Sequence, residues 1–378
     1  MTPGVGPVLG RRLLERFRIA EEVLKASVAG LKSVEGIGQV KAERMRQAFR
    51  NARALAEGEL ERCDQAGVRL IGTEHALYPE LLTQLDDGPL ALWVKGDLEA
   101  LGSRFTVAIV GSRSCSAYGM EQAERFSTAL SQAGLIVVSG GARGIDTAAH
   151  RAAVRLGEPT CVVMGCGLGH CYPPENRELF DQVRGAGGVI VSELPLGRAP
   201  AADQFPARNR IISGLSLGVI VIEAPSASGA LITARQAAEE HGREVMAVPG
   251  RIDSKASHGS NNLIKTGSAA MVASPVDVLD LLESPARHFH SGTHQSRYRG
   301  GLIKAAPSEK TLRGLTERQE IIVGMIGGGK DVDAICESAV LGAEEVQADL
   351  ILLELRGMVK KNGPVWELVS SKNRKLSE

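Results

Sequence analysis

Val107-Ala108-Ile109-Val110-Gly111-Ser112-Arg113 carries an apolar run straight into a Gly-Ser-Arg turn, and this pattern repeats through the middle of the chain. The later turns are Ser139-Gly140-Gly141-Ala142-Arg143-Gly144, Gly165-Cys166-Gly167-Leu168-Gly169 and Ala224-Pro225-Ser226-Ala227-Ser228-Gly229. The apolar runs predict strands at Phe105–Val110, Leu135–Ser139, Thr160–Met164, Val189–Ser192, Val219–Glu223 and Glu244–Val248, with Ala270–Val272 as a further short one. Runs without alternation suit strands covered on both faces. Helical stretches fall between them, at Gly119–Ala133, Asp146–Leu156, Asn176–Ala186 and Ala230–His241. Such βα repetition predicts an α/β fold with a central doubly wound parallel sheet. The turns then share the carboxyl rim of the sheet, where small residues and helix N-termini let backbone N–H groups meet an anion. Four such turns threaded with arginines describe a groove for several phosphates.

Composition narrows the partners. The chain has 378 residues, long enough for two or three domains, and balances 44 basic against 44 acidic residues. Zero net charge argues against a uniformly basic nucleic-acid binder but permits a local basic groove. Aromatics are 3% of the chain, too few for a stacking platform of many rings. No signal peptide and no apolar run long enough for a bilayer are seen, so a soluble, cytoplasmic protein without membrane partners is expected. The six cysteines contain no Cys-x-x-Cys pair. Cys161, Cys166 and Cys171 therefore read as reduced packing residues, and no metal or cofactor is expected.

The flanks differ from the centre. Residues 1–66 read as short helices, and Val34-Glu35-Gly36-Ile37-Gly38-Gln39-Val40-Lys41-Ala42 fits a helix-hairpin-helix turn of the kind found in SAM-like domains. Pro3-Gly4-Val5-Gly6-Pro7 resembles a degenerate second copy. Up to Glu59 there are 11 basic and 7 acidic residues, a mild excess. The turn is equally consistent with a contact to double-stranded DNA, a protein-docking module, or a tight turn alone. Residues 67–283 hold the sheet, with Gly67–Gly96 read as a cap that includes the short strand Leu92-Trp93-Val94. The Ser-, Gly-, His- and Arg-rich segment 284–309 reads as a flexible linker, its His288, His290 and His294 as polar linker residues rather than metal ligands. Residues 310–378 predict a winged helix, with helices at Thr316–Met325, Asp331–Ala339 and Ala343–Leu355 and a hairpin at Val359–Val369. Its third helix begins Ala343-Glu344-Glu345 and continues through Asp349. Acids there would face phosphates and disfavour major-groove docking. Gly327-Gly328-Gly329-Lys330 lacks the Ser or Thr and the preceding strand of a P-loop, so it reads as a turn.

The candidate site is the basic rim. Arg113 and Arg143 sit on the first two turns, Arg177 near the third, and Phe205-Pro206-Ala207-Arg208-Asn209-Arg210 opens a helix before the fifth strand. Arginine's fork matches phosphate oxygens, and Asn209 can bond a base edge or a backbone oxygen. Ser228, Gly229 and Thr233 add hydroxyl and N–H donors. Asp146 and His150 share a helix face. With no nucleophile or metal set beside them, they read as a cap for the Gly-rich turn and its support. Neither a Gly-x-Gly-x-x-Gly nor a Walker A sequence is present.

Taken in order, these motifs resemble the DprA (Smf) family of DNA-processing proteins. The resemblance rests on Val107–Arg113, Ser139–His150, Tyr172-Pro173-Pro174-Glu175-Asn176, Phe205–Ile212, Ser228–Ala234 and Val248-Pro249-Gly250, and it spans about Tyr78–Leu282. It departs in having Gly140-Gly141 where the family often has Gly-Leu or Gly-Met, and in fewer prolines around Asp86-Asp87-Gly88-Pro89. It implies an extended Rossmann fold that binds and protects single-stranded DNA, loads the recombinase RecA during natural transformation, and forms a homodimer. By position it implies Ser112, Arg113, Gly141, Arg143, Gly167, Arg177, Asn209, Arg210 and Thr233 as DNA-pocket residues. The enzymatic rival on the same sheet is the lysine-decarboxylase-like phosphoribohydrolase, whose catalytic Glu would stand where this chain has Gln236. An amide cannot supply acid–base chemistry, so no enzymatic activity is expected. A protein-binding scaffold, with glycines serving only tight turns, is the third reading.

Overall fold

The computed structural model describes residues 4–103, 105–290, 316–326, 330–339, 342–355, 358–362 and 365–368. Nine strands form the central sheet: β1 Arg69–Gly72, β2 Ala91–Gly96, β3 Thr106–Val110, β4 Ile136–Ser139, β5 Thr160–Val163, β6 Val189–Ser192, β7 Gly218–Val221, β8 Glu244–Ala247 and β9 Ala270–Met271. Their spatial order is β1-β2-β6-β5-β4-β3-β7-β8-β9. From β6 across to β9 every pairing is parallel. Chain order reverses at β3, which pairs with β4 on one side and β7 on the other, so a crevice opens there at the carboxyl ends.

The expected parallel sheet carries two antiparallel strands at one edge. Strand β2 runs antiparallel to β6, and β1 runs antiparallel to β2. The segment read as a cap is therefore part of the sheet, and Arg69–Gly72 gave no strand signal. Its burial is broken, with only Ile71 inside, because an edge strand needs few core contacts.

Residues of β3–β7 alternate between two cores although all are apolar or small. Ala108, Val110, Val138, Val163 and Val219 face one side, against Ile211, Ile212 and Leu215. Val107, Ile109, Val137 and Ile220 face the other, against Phe126, Leu130 and Ala149. Phe126 is fully buried, so Phe126→Ala would cost about 3–5 kcal/mol in transfer and cavity terms.

The N-terminal helices pack around Leu13, Leu31, Ile37 and Met45. Gly36 turns at φ +88°, Ile37 is buried, and Gly38 caps the helix Gln39–Phe49. Glu59 ties this unit to the sheet: its carboxylate accepts from Trp93 Nε1 at 2.8 Å and from the Leu196 amide at 2.7 Å.

At the other end the helix Pro275–His290 continues past residue 284, so the linker expected from there is helical through His290. Residues 291–309, with His294, lie outside the described residues, as do Gly327–Gly329. The helices Glu317–Met325, Val332–Ala339 and Ala343–Leu355 and the hairpin Val359–Asn362 with Val365–Leu368 follow. Ile351 and Leu352 join the core cluster of Leu279 and Leu282. Asp349 does not face outward as its position suggested. It is fully buried, ion-paired to Arg318 and bonded to Gln319 Nε2 at 3.0 Å.

Candidate nucleic-acid interface

The crevice at β3 and β7 is a cleft of about 690 Å³. Its walls are Val110–Ser114 after β3, Ala142 and Asp146 after β4, Tyr172 after β5, Pro200–Ala202, residues of the helix Gln204–Gly214, and Pro225, Ser228–Ala230, Ile232 and Thr233 after β7.

Close packing of backbone against backbone builds the rim. The Ser112 amide donates to Glu223 O at 2.7 Å, and Ser112 O accepts from the Ile145 amide at 3.2 Å. A Cβ on Gly144 would meet Ser112 O at 2.3 Å, and the residue sits at φ +73°. Only glycine lets the first two turns touch there. Glu223, buried at the end of the β7 segment, anchors the next helix by accepting from the Ser116 amide and the Ser116 hydroxyl, both at 2.7 Å.

The second turn is already filled by an internal anion. Asp146 Oδ2 accepts from the Gly140 and Ala142 amides, each at 3.2 Å. The expected cap role of Asp146 is thus observed, and those amides are not directed at an external phosphate. Burial pushes the Asp146 carboxyl above its ordinary pKa, against the opposing pull of Arg208 and the turn amides. His150 is fully buried, with Nδ1 2.8 Å from Thr160 Oγ1; burial, then Arg208, pushes its pKa down to about 3. It braces β5 through Thr160 and also meets the backbone of Ser139 at the start of the turn.

Seven of the twelve candidate residues line the cleft: Ser112, Arg113, Arg208, Asn209, Ser228, Gly229 and Thr233. Arg113 is exposed and has no ion pair among the described residues. Its guanidinium carbon stands 5.2 Å from the centroid of the Phe205 ring, a cation–π distance. Asn209 Nδ2 reaches Gly229 O at 3.4 Å, bridging two walls. Ser228 caps its helix by accepting from the Ala230 amide at 3.3 Å. Thr233 is 1% exposed, so its polar atoms have little free surface.

Arg208 lines the cleft but is committed inward. It is buried, and Nη1 donates to Gly140 O at 2.7 Å and to Val163 O. Burial lowers its pKa to about 10, with Asp146 opposing. The remaining five candidates stand outside the cleft. Arg210 is buried and paired to Glu193 at 2.5 Å and Asp87 at 3.6 Å. Gly141, at φ +65°, gives Val162 and Phe180 the space a Cβ would fill. Gly167 does the same for Pro195 O, which a Cβ would meet at 2.0 Å. Arg143 is exposed and paired to Glu175, and Arg177 is the exposed first residue of the helix Arg177–Gly185. Helical phase separates Arg210 from Asn209, and consecutive positions on a helix never share a face.

Phe205 is the residue that sequence reading passed over. Its ring lies 5.2 Å from that of Tyr172, and Gly165 leaves it room, since a Cβ there would meet Phe205 Cδ1 at 2.7 Å. Low aromatic content hid it, because two rings suffice when folding brings them together. Gln236 does not line the cleft.

A family model for DNA recombination-mediator protein A matches residues 69–283, and one for a SAM-like helix-hairpin-helix tandem matches residues 2–51. Protein Smf of Escherichia coli strain K12 is 38% identical over 307 residues, covering 81% of this chain and 79% of that protein. DNA processing protein DprA of Streptococcus pneumoniae is 46% identical over 203 residues, covering 53% of this chain and 70% of the relative. The crystal structure of the S. pneumoniae DNA processing protein A superposes with a TM-score of 0.64 at 36% identity, covering 74% of this chain and 94% of that one. DNA processing protein A from Helicobacter pylori, a structure described for its single-stranded DNA binding mode, gives 0.51 at 28% identity, covering 57% and 96%. This chain belongs to the DNA recombination-mediator protein A family.

Proposed function

We propose that this recombination mediator holds single-stranded DNA in the β3–β7 cleft, protects it, and passes it to RecA during natural transformation. The observation that carries the reading is Arg113, exposed at the cleft, without an ion pair among the described residues and stacked over Phe205. An unpaired guanidinium beside an aromatic face suits a phosphate and its neighbouring base. The Helicobacter pylori relative, described for its single-stranded DNA binding mode, supports the same assignment. Ser112, Asn209, Ser228 and Gly229 then supply hydroxyl, amide and N–H donors along the strand, while Arg208 and Thr233 shape the wall. Arg143 and Arg177, exposed beyond the cleft, extend the path once Arg143 exchanges Glu175 for a phosphate.

The mediator acts without catalysis, cofactor or metal at this cleft, in the cytoplasm and as a homodimer. Asp146 and His150 are enclosed and already bonded, and the position of a phosphoribohydrolase acid holds Gln236. In this reading the N-terminal hairpins would hold duplex DNA, with Gly36–Gly38 as the phosphate-facing turn. The C-terminal unit is a winged helix that contacts protein rather than the major groove.

Fluorescence anisotropy with a labelled single-stranded oligonucleotide and its duplex, at two salt concentrations, tests the cleft. Tight, salt-sensitive binding that favours the single strand and weakens about 10- to 100-fold in Arg113→Ala is the expected result. Base release from a nucleoside monophosphate would instead make the cleft an enzyme's. Absence of DNA binding at low salt would leave the scaffold reading.

A further inference from the structure

The turn that carries Arg113 is held at both ends by one residue of another segment. Glu223, just past the end of β7, accepts the Ser112 amide on its backbone oxygen at 2.7 Å. Its side chain takes the other end, Oε2 from the Ser116 amide and Oε1 from the Ser116 hydroxyl, each at 2.7 Å. Ser257 Oγ, arriving from the short helical turn Lys255–Ser257, adds a third donor at 3.5 Å from Oε1. Gly119 makes room for the carboxylate, since a Cβ there would meet Oε2 at 2.5 Å. Inside the turn, Ser112 Oγ accepts from the Ser114 amide at 3.1 Å. The residue between these held peptides is Arg113.

The choice of residue follows from the donors. Three of them converge on one side chain, and a carboxylate offers lone pairs to all with no proton of its own to place. Glu223 is 1% exposed, and burying a carboxylate carries a penalty that an apolar residue of similar size avoids. What an apolar residue cannot do is hold Ser116. Ser116 passes the restraint on, because its Oγ also accepts from the Gly119 amide at 3.1 Å and so ties the turn to the helix Ala117–Gln132. With its oxygens committed to Ser116 and Ser257, Glu223 does not capture the Arg113 guanidinium. That group has no ion pair among the described residues and stays over Phe205.

We infer that Glu223 is a positioning residue for single-strand binding, acting through Arg113. By clamping Ser112 and Ser116 it presents the arginine already arranged, so little ordering of the turn remains when a phosphate arrives. The inference rests on the reading of the cleft as a single-strand site, and it assigns a function in that site to a carboxylate that never touches the strand.

Dissociation constants for a labelled single-stranded oligonucleotide, measured on the full-length chain beside thermal melting, test it. Ser116→Ala keeps the Glu223 carboxylate and the backbone tie but removes the hydroxyl. It should weaken binding about 3- to 10-fold, the scale of ordering one long side chain, with the slope of log K against log salt unchanged. Glu223→Ala should weaken binding at least as much. Glu223→Gln should recover most of that loss, because its Oε1 still accepts the Ser116 amide and its NH2 donates to Ser116 Oγ. In an Arg113→Ala background the Ser116→Ala loss should vanish, whereas in an Asn209→Ala background it should persist. Ser116→Ala binding like wild type, a loss of equal size without Arg113, or Glu223→Gln as defective as Glu223→Ala would each overturn the role and leave the cleft reading standing. If Glu223→Ala does not fold, Ser116→Ala and its two double variants decide. A wild-type chain that fails to bind the strand would remove the cleft reading, and this role with it.

Discussion

Asp146 and Arg208 divide Gly140 between them: the carboxylate takes its N–H at 3.2 Å, and the guanidinium donates to its C=O at 2.7 Å. A Cβ on Gly140 would stand 2.6 Å from the Arg208 nitrogens, so the turn must be glycine for the arginine to enter. The Asp146 carboxylate occupies turn amides that could otherwise meet a phosphate, and the second turn becomes scaffold for the cleft.

Arg208→Ala should therefore unfold the chain before it says anything about ligands. It removes the positive charge that offsets buried Asp146 and the donor to Gly140 O and Val163 O, a loss of about 3–5 kcal/mol. Urea denaturation followed by circular dichroism checks this, and a variant as stable as wild type would refute the buried pair.

Arg113→Ala should behave in the opposite way. Losing a charge-assisted contact weakens single-stranded DNA binding by about 10- to 100-fold, since such bonds contribute ~1.5–3 kcal/mol, while Tm stays within a degree or two. The slope of log K against log salt should become shallower by about 0.7, the value for one phosphate on a single strand. An unchanged slope would remove Arg113 from the phosphate path.

Phe205→Ala should weaken binding by about 1–3 kcal/mol, the range for one stacked base, with little change in the salt slope. Phe205→Tyr should retain most of the affinity. If both variants bind alike, the ring serves packing against Tyr172 and not the ligand.

Stability should fall in acid through His150. Its pKa drops from 6.5 unfolded to about 3 folded, mainly by burial. Below pH 6.5 the unfolded chain takes up a proton that the folded chain refuses, so this contribution is complete above that pH and erodes towards pH 3. The slope from this residue is about 1.4 kcal/mol per pH unit across the window. Denaturation midpoints measured between pH 4 and 7 should show a shallower dependence in His150→Gln than in wild type.

Periodicity and turn chemistry made the central architecture legible from the chain alone. The uninterrupted runs of β3 to β8 forced strands buried on both faces, and the glycines after them could only be turns on one rim. The rim's basic residue types were legible too, along with the cap role of Asp146. Tertiary structure decided which of those residues share the cleft. Arg208, Asn209 and Arg210 are adjacent in sequence, yet helical phase sends the first to Gly140, the second to Gly229 and the third to Glu193 and Asp87. Nothing local distinguishes a glycine that admits a ligand from one that admits Pro195 O, as Gly167 does, because the neighbour comes from a distant segment. The same holds for the antiparallel edge at β1 and for Phe205, whose roles exist only once residues far apart in the chain lie side by side.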